Sequence, residues 1–117
     1  MSKMKACLAF CLAVLSSVAL ANDGQVTGVH IIRLQINASL GDFVFIQTDG
    51  TPSTPASCSV NGFWQFTLPV TNAFGTQAYA ALVAAYAAGT PVMLAGTGSC
   101  NEFFSVESLS AFELSPH

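Results

Sequence analysis

Four cysteines, two histidines and a single tryptophan are the side chains of this chain best suited to redox, ligating or stacking chemistry. Cys7 and Cys11 fall in an apolar N-terminal run, which leaves Cys58 and Cys100 to the body of the chain. They stand 42 residues apart, and the close C-x-x-C spacing of a redox or zinc pair is absent. In an oxidising compartment two such cysteines read as one disulfide. Closing a loop of that size restrains the unfolded chain by about 4 kcal/mol. His30 and His117 do not make a catalytic set, because a hydrolytic triad needs a nucleophile and an acid around the imidazole and zinc needs convergent ligands. His117 is the last residue, and His30 has no sequence-local acid or nucleophile motif, so a structural or surface role is expected. No catalytic residue, cofactor or metal is predicted. Trp64 has two readings: a sugar-stacking platform, or, from its alternation with Phe66 and Leu68, a core residue. Asn37-Ala38-Ser39 matches a glycosylation sequon, which matters only in a eukaryotic host.

The elements that hold these residues follow an export signal. Lys3 and Lys5 precede an apolar run from Ala6 to Leu20 that ends on Ala19-Leu20-Ala21. This pattern predicts a secretory signal peptide over residues 1–21, cleaved to leave Asn22, and hence a secreted or periplasmic protein. An uncleaved anchor is the alternative use of the segment, but the run is shorter than the roughly 20 residues that a span needs. Residues 22–117 would form one small domain. Cleavage removes both lysines, leaving Arg33 against six carboxylates, −5 in all. A chain with one cation is a poor partner for nucleic acid or an anionic membrane. Arg33 itself is expected to pair with a surface carboxylate, with anion binding as the minor alternative.

Val26 to Ile36 is β-branched, and its apolar phase changes, which a bulge near Ile31-Ile32 would reconcile. Asp42 to Thr48 is a second strand, apolar on both faces, and forms a hairpin with the first. A third, Phe63 to Leu68, stops at Pro69. A helix over about Ala73 to Ala88 follows, with Thr71 or Asn72 as N-cap and Gly89 as its stop. Its inward stripe is expected at Phe74, Ala78, Ala81, Leu82 and Ala85. The segment has no charge at all, so more than one of its sides should be covered, and Gln77, Tyr79 and Tyr86 are candidate residues of an oligomer interface. Val92 to Ala95 and Val106 to Leu114 complete five strands. The fold class is therefore mainly β with one helix, in the order β-β-β-α-β-β, which is the order of an OB-fold-like five-stranded barrel.

The tract from Ala80 to Leu94, running from helix into strand, resembles that of the B subunits of AB5 toxins such as subtilase cytotoxin and typhoid toxin. Through Gly89-Thr90-Pro91-Val92, Gly96-Thr97-Gly98-Ser99-Cys100 and Glu107, the chain also resembles a broad group of small uncharacterised secreted bacterial proteins. The toxin resemblance implies a ring of five OB-fold subunits with central helices and a sialylated-glycan site on each. By position, Thr27 is the nearest match to a sugar-contacting hydroxyl. The stretch from Trp64 to the helix is longer than in those toxins. The expectation is a secreted, non-enzymatic binding protein, glycan-binding and homo-oligomeric, with Thr27 and Trp64 as candidate ligand residues. The alternative is a stand-alone exported structural or inhibitor-like protein without a glycan site; a small hydrolase is the third reading.

Overall fold

The structure, a computed structural model, describes residues 23–115. The signal segment 1–21 with Cys7 and Cys11, the proposed mature terminus Asn22, and His117 lie outside the described residues. Six strands and one helix follow in chain order: β1 (Gln25–Val29), β2 (Ile31–Ile36), β3 (Phe43–Thr48), β4 (Phe66–Pro69), α1 (Ala73–Ala88), β5 (Val92–Gly96) and β6 (Glu107–Leu114). They form one sheet in the order β1-β5-β6-β4-β3-β2, antiparallel except for β4 and β6. Only His30 separates β1 from β2, yet these strands lie at opposite ends of that order. A single stretch of chain thus reaches both edges, and the sheet must curl to allow it.

Mainly β architecture with one helix is as expected, but there are six strands rather than five, and the strand order is different. The long first strand is broken because the His30 N–H leaves the ladder and donates to the Asp49 carboxylate at 2.7 Å. The β2–β3 register shifts between Ile31 and Arg33, where the apolar phase changes, and the β1–β5 register shifts between Val26 and Val29. The third strand starts at Phe66, not Phe63.

β3 is buried on both sides, and the two sides meet different things. Val44 and Ile46 enter the main core with Phe66, Leu68, Leu82, Val92 and Leu94. Phe43 and Phe45, on the opposite face by the two-residue period of a strand, join a second cluster with Val106, Trp64 and Phe103. Helix α1 covers the main core beside β2 and β4 through Gly75, Ala78, Leu82 and Ala85. Phe74, expected inward, is exposed; Gly75 takes the inward position because a Cβ there would lie 1.6 Å from the Pro69 carbonyl oxygen. Asn72 is the N-cap, its Oδ1 accepting the Gly75 N–H at 2.7 Å, and Gly89 closes the helix.

Two ties hold the loops. Cys58 and Cys100 form a disulfide with Cα atoms 6.2 Å apart, joining the segment before β4 to the β5–β6 connection. Glu107 is fully buried, and its carboxylate accepts N–H bonds from Gly24 (2.9 Å), Ala56 (2.8 Å) and Gly98 (3.1 Å). Three distant segments thereby converge on one side chain. It lies flat on Gly96, where a Cβ would overlap its carboxylate.

Candidate functional site

The outer face of β3 is paved with aromatic rings. Phe43 meets Phe45 edge-on at 5.0 Å between centroids, and Trp64 stacks on Phe45 at 5.1 Å with planes 26° apart. Phe103 packs edge-on against Phe45 at 5.1 Å and passes the array on to Phe104 at 4.7 Å. On the other side Phe63 stands edge-on to Trp64 at 4.8 Å, and the Arg33 guanidinium lies 5.0 Å from the Phe63 ring centre. The array ends in open rings, Phe63 at 43% and Phe104 at 80% exposure, while Trp64 is half-buried. Pairs in these geometries contribute about 0.5–1.5 kcal/mol beyond their buried area.

Strand β3 places Phe43 and Phe45, and loops place Phe63, Trp64, Phe103 and Phe104. The Asn61 side-chain oxygen accepts the N–H groups of Phe63 and Trp64, both at 2.9 Å, which fixes the turn that presents them. Asn61 also reaches the opposite loop, donating its backbone N–H to the Ser105 carbonyl at 3.0 Å and its amide to Ser105 Oγ at 3.3 Å. Gln65 accepts the Thr48 N–H at 2.7 Å and anchors the turn to β3. Beside Trp64 lies an open cleft of about 120 Å³, walled by Thr51, Pro52, Pro55, Ser59, Asn61, Gly62 and Gln65 as well as the indole. No wall residue carries a charge.

The predicted residues are not gathered in one place. Trp64 is not in a strand and does not join the main core; half-buried, it packs against the second hydrophobic cluster of Phe43, Phe45 and Val106 and forms part of the cleft wall. Thr27 is exposed in the β1 bulge and is not among the cleft residues. Gln77 and Tyr86 are exposed on α1, while Tyr79 packs against the main core. Arg33 has no carboxylate partner among the described residues and sits on Phe63 instead of pairing at the surface. His30 does find an acid, distant in sequence: its Nδ1 lies 2.9 Å from Asp49 Oδ2. The His30 backbone N–H bond, and then the imidazole bond, hold the Asp49 carboxyl below its ordinary value.

Asn61, Gln65, Phe63 and Phe104 were missed by sequence reasoning. The Asn61-Gly62 pair is the one local signal that a turn presents the tryptophan. The hydroxyls of Thr67 and Ser108 both donate to Glu102, but Ser108 and Thr67 are buried, so this group braces the β4–β6 junction. Among the described residues no three His, Cys, Asp or Glu side chains converge as metal ligands, and no helix is long and apolar enough to cross a membrane. Rings, amides and hydroxyls around an open cleft suit reversible binding. Comparison with protein-family models, curated proteins and solved structures finds no match to this chain.

Proposed function

We propose that this is a secreted or periplasmic, non-enzymatic carbohydrate-binding protein built on an OB-fold-like barrel and working as a homo-oligomer. The observation that carries the reading is Trp64, clamped on Phe45 and forming one wall of a cleft furnished with neutral amides and hydroxyls. An indole offers an apolar face to a sugar ring and an N–H to its hydroxyls. Counting β1 and β2 as one bent strand supports the barrel, since that strand then borders both β5 and β3, as closure of a five-stranded OB-fold requires. In such barrels the face of the second and third strands binds oligosaccharides, and here β3 carries the aromatic array.

Two features support self-association. The outer side of α1 is uncharged and exposes Phe74, Val83 and Tyr86. Among the described residues β2 pairs along one edge only, and residues 109–114 of β6 pair with β5 alone. Two such edges on one protomer suit a closed head-to-tail ring, of five if the toxin resemblance holds. The exposed Val60 and Phe104 favour the second reading, a stand-alone protein with a protein ligand and no glycan site.

Trp64 is the only tryptophan, so its emission reports directly on the cleft. Screening the oxidised protein on a glycan array and titrating the hits by fluorescence should give saturable emission changes. Light scattering should give a multiple of the protomer mass. A monomer with no glycan hit and an unresponsive tryptophan would leave the second reading standing.

A further inference from the structure

We infer that the cleft beside Trp64 accepts a neutral, hydroxyl-rich sugar ring and disfavours an acidic one. This inference rests on the carbohydrate-binding reading and specifies its ligand class. The wall provides an indole, two prolines, two amides and two hydroxyls, with neither a cation nor an anion. Among the described residues, the Thr51 and Ser59 hydroxyls make no side-chain hydrogen bond, so each can both donate to and accept from a sugar hydroxyl. The amides are already oriented. Asn61 is fixed by the Phe63, Trp64 and Ser105 bonds, and Gln65 by the Thr48 N–H and the Phe63 carbonyl. Each amide nitrogen has two hydrogens and one protein partner, which leaves a donor for the ligand.

A carboxylate-bearing sugar would lose water in this cleft without gaining a cation, and an uncompensated anion is costly to desolvate. The one arginine does not rescue it. Arg33 lies over Phe63 and is not part of the wall. The exported chain, with six carboxylates to one arginine, also repels anions at long range. These features run against the sialylated ligand that the toxin resemblance implies.

The test is an array of matched glycan pairs, neutral and sialylated, followed by Trp64 fluorescence titration with lactose and 3′-sialyllactose at low and physiological salt. Neutral members should bind more tightly by about tenfold, the penalty expected for a buried polar group left unpaired. The gap should narrow as salt screens the net charge. Thr51→Val and Ser59→Ala should each weaken the neutral ligand by about fivefold at an unchanged thermal midpoint, as loss of one hydrogen bond predicts. Tighter binding of the sialylated members overturns the inference and leaves the carbohydrate reading intact. Binding of no glycan of either kind overturns both.

Discussion

The two sides of β3 are built by different means. Inward, Val44 and Ile46 meet Phe66, Leu68, Leu82 and Leu94, mostly aliphatic side chains presented by strands and a helix whose backbones are satisfied by regular ladders. Outward, Phe43 and Phe45 meet Trp64 and Phe103, aromatic side chains presented by segments with no ladder of their own. Those segments are held by the Cys58–Cys100 bridge, the Asn61–Ser105 bonds and the Gln65 anchor. The inward side is held by sheet and helix hydrogen bonding, whereas the aromatic side depends on a few discrete ties. The cleft lies on the second side, where position rather than bulk stability determines what the surface can bind.

Removing the bridge should break the comparison most sharply. In the double variant Cys58→Ser, Cys100→Ser, freeing a loop of 42 residues should cost about 4 kcal/mol by loop-closure entropy. The loss should be uneven. The tryptophan band of the near-ultraviolet circular dichroism, to which the Phe45–Trp64 stack contributes, should weaken, while amide exchange in β3, β5 and the core side of α1 remains slow until global unfolding. If both regions loosen together, or the tryptophan signal is unchanged, the aromatic side is not separately held.

Glu107 stands where the two regions meet, and a smaller change there should sharpen the distinction. Its carboxylate is an acceptor at both oxygens, for N–H groups before β1, in the loop that carries the cysteine, and in the turn after β5. Glu107→Gln keeps the shape but points an NH₂ at one of those donors, which should cost about 3 kcal/mol, the usual range for a buried donor left facing a donor. Urea unfolding should show the loss as a shifted midpoint with an unchanged slope. A shift within error would mean that the three segments are held by something other than this side chain.

The same contrast explains what could be read from the sequence. Strand periodicity, the Asn72 and Gly89 caps and the phase change at Ile31-Ile32 are local signals set by backbone geometry, and the structure follows them. The disulfide was legible because only Cys58 and Cys100 lie beyond the apolar N-terminal run. What failed was non-local. Trp64 alternates with Phe66 and Leu68, yet Asn61 folds the chain before it into a turn, and the strand starts two residues later. The break at His30 depends on Asp49, and the exposure of Phe74 depends on how closely Gly75 passes the Pro69 carbonyl. No pattern along the chain marks Glu107 as the acceptor for Gly24, because the two are 83 residues apart.

The smallest expected effect lies at the end of β3, where the strand's two sides run out at the seam between β1 and β2. Asp49 accepts the His30 backbone N–H through Oδ1 and faces the imidazole through Oδ2, and its carboxyl is held below the ordinary 3.8 by that backbone bond first and the ring second. A carboxylate with a depressed folded pKa stabilises the fold above its unfolded pKa, and the contribution is lost as pH falls through the folded value. Both partners are nearly half exposed, so solvent screens the pair, and Asp49→Asn should cost less than about 1 kcal/mol at neutral pH. Stability curves of the parent and the variant should therefore run parallel above pH 3.8 and converge below it, as the parent carboxyl takes up its proton. Because the Asn oxygen can still accept the His30 N–H, the bend between β1 and β2 should survive in the variant. Loss of the β1–β5 pairing in its amide exchange pattern would show instead that the charge, not the hydrogen bond, sets the break that lets one stretch of chain reach both edges of the sheet.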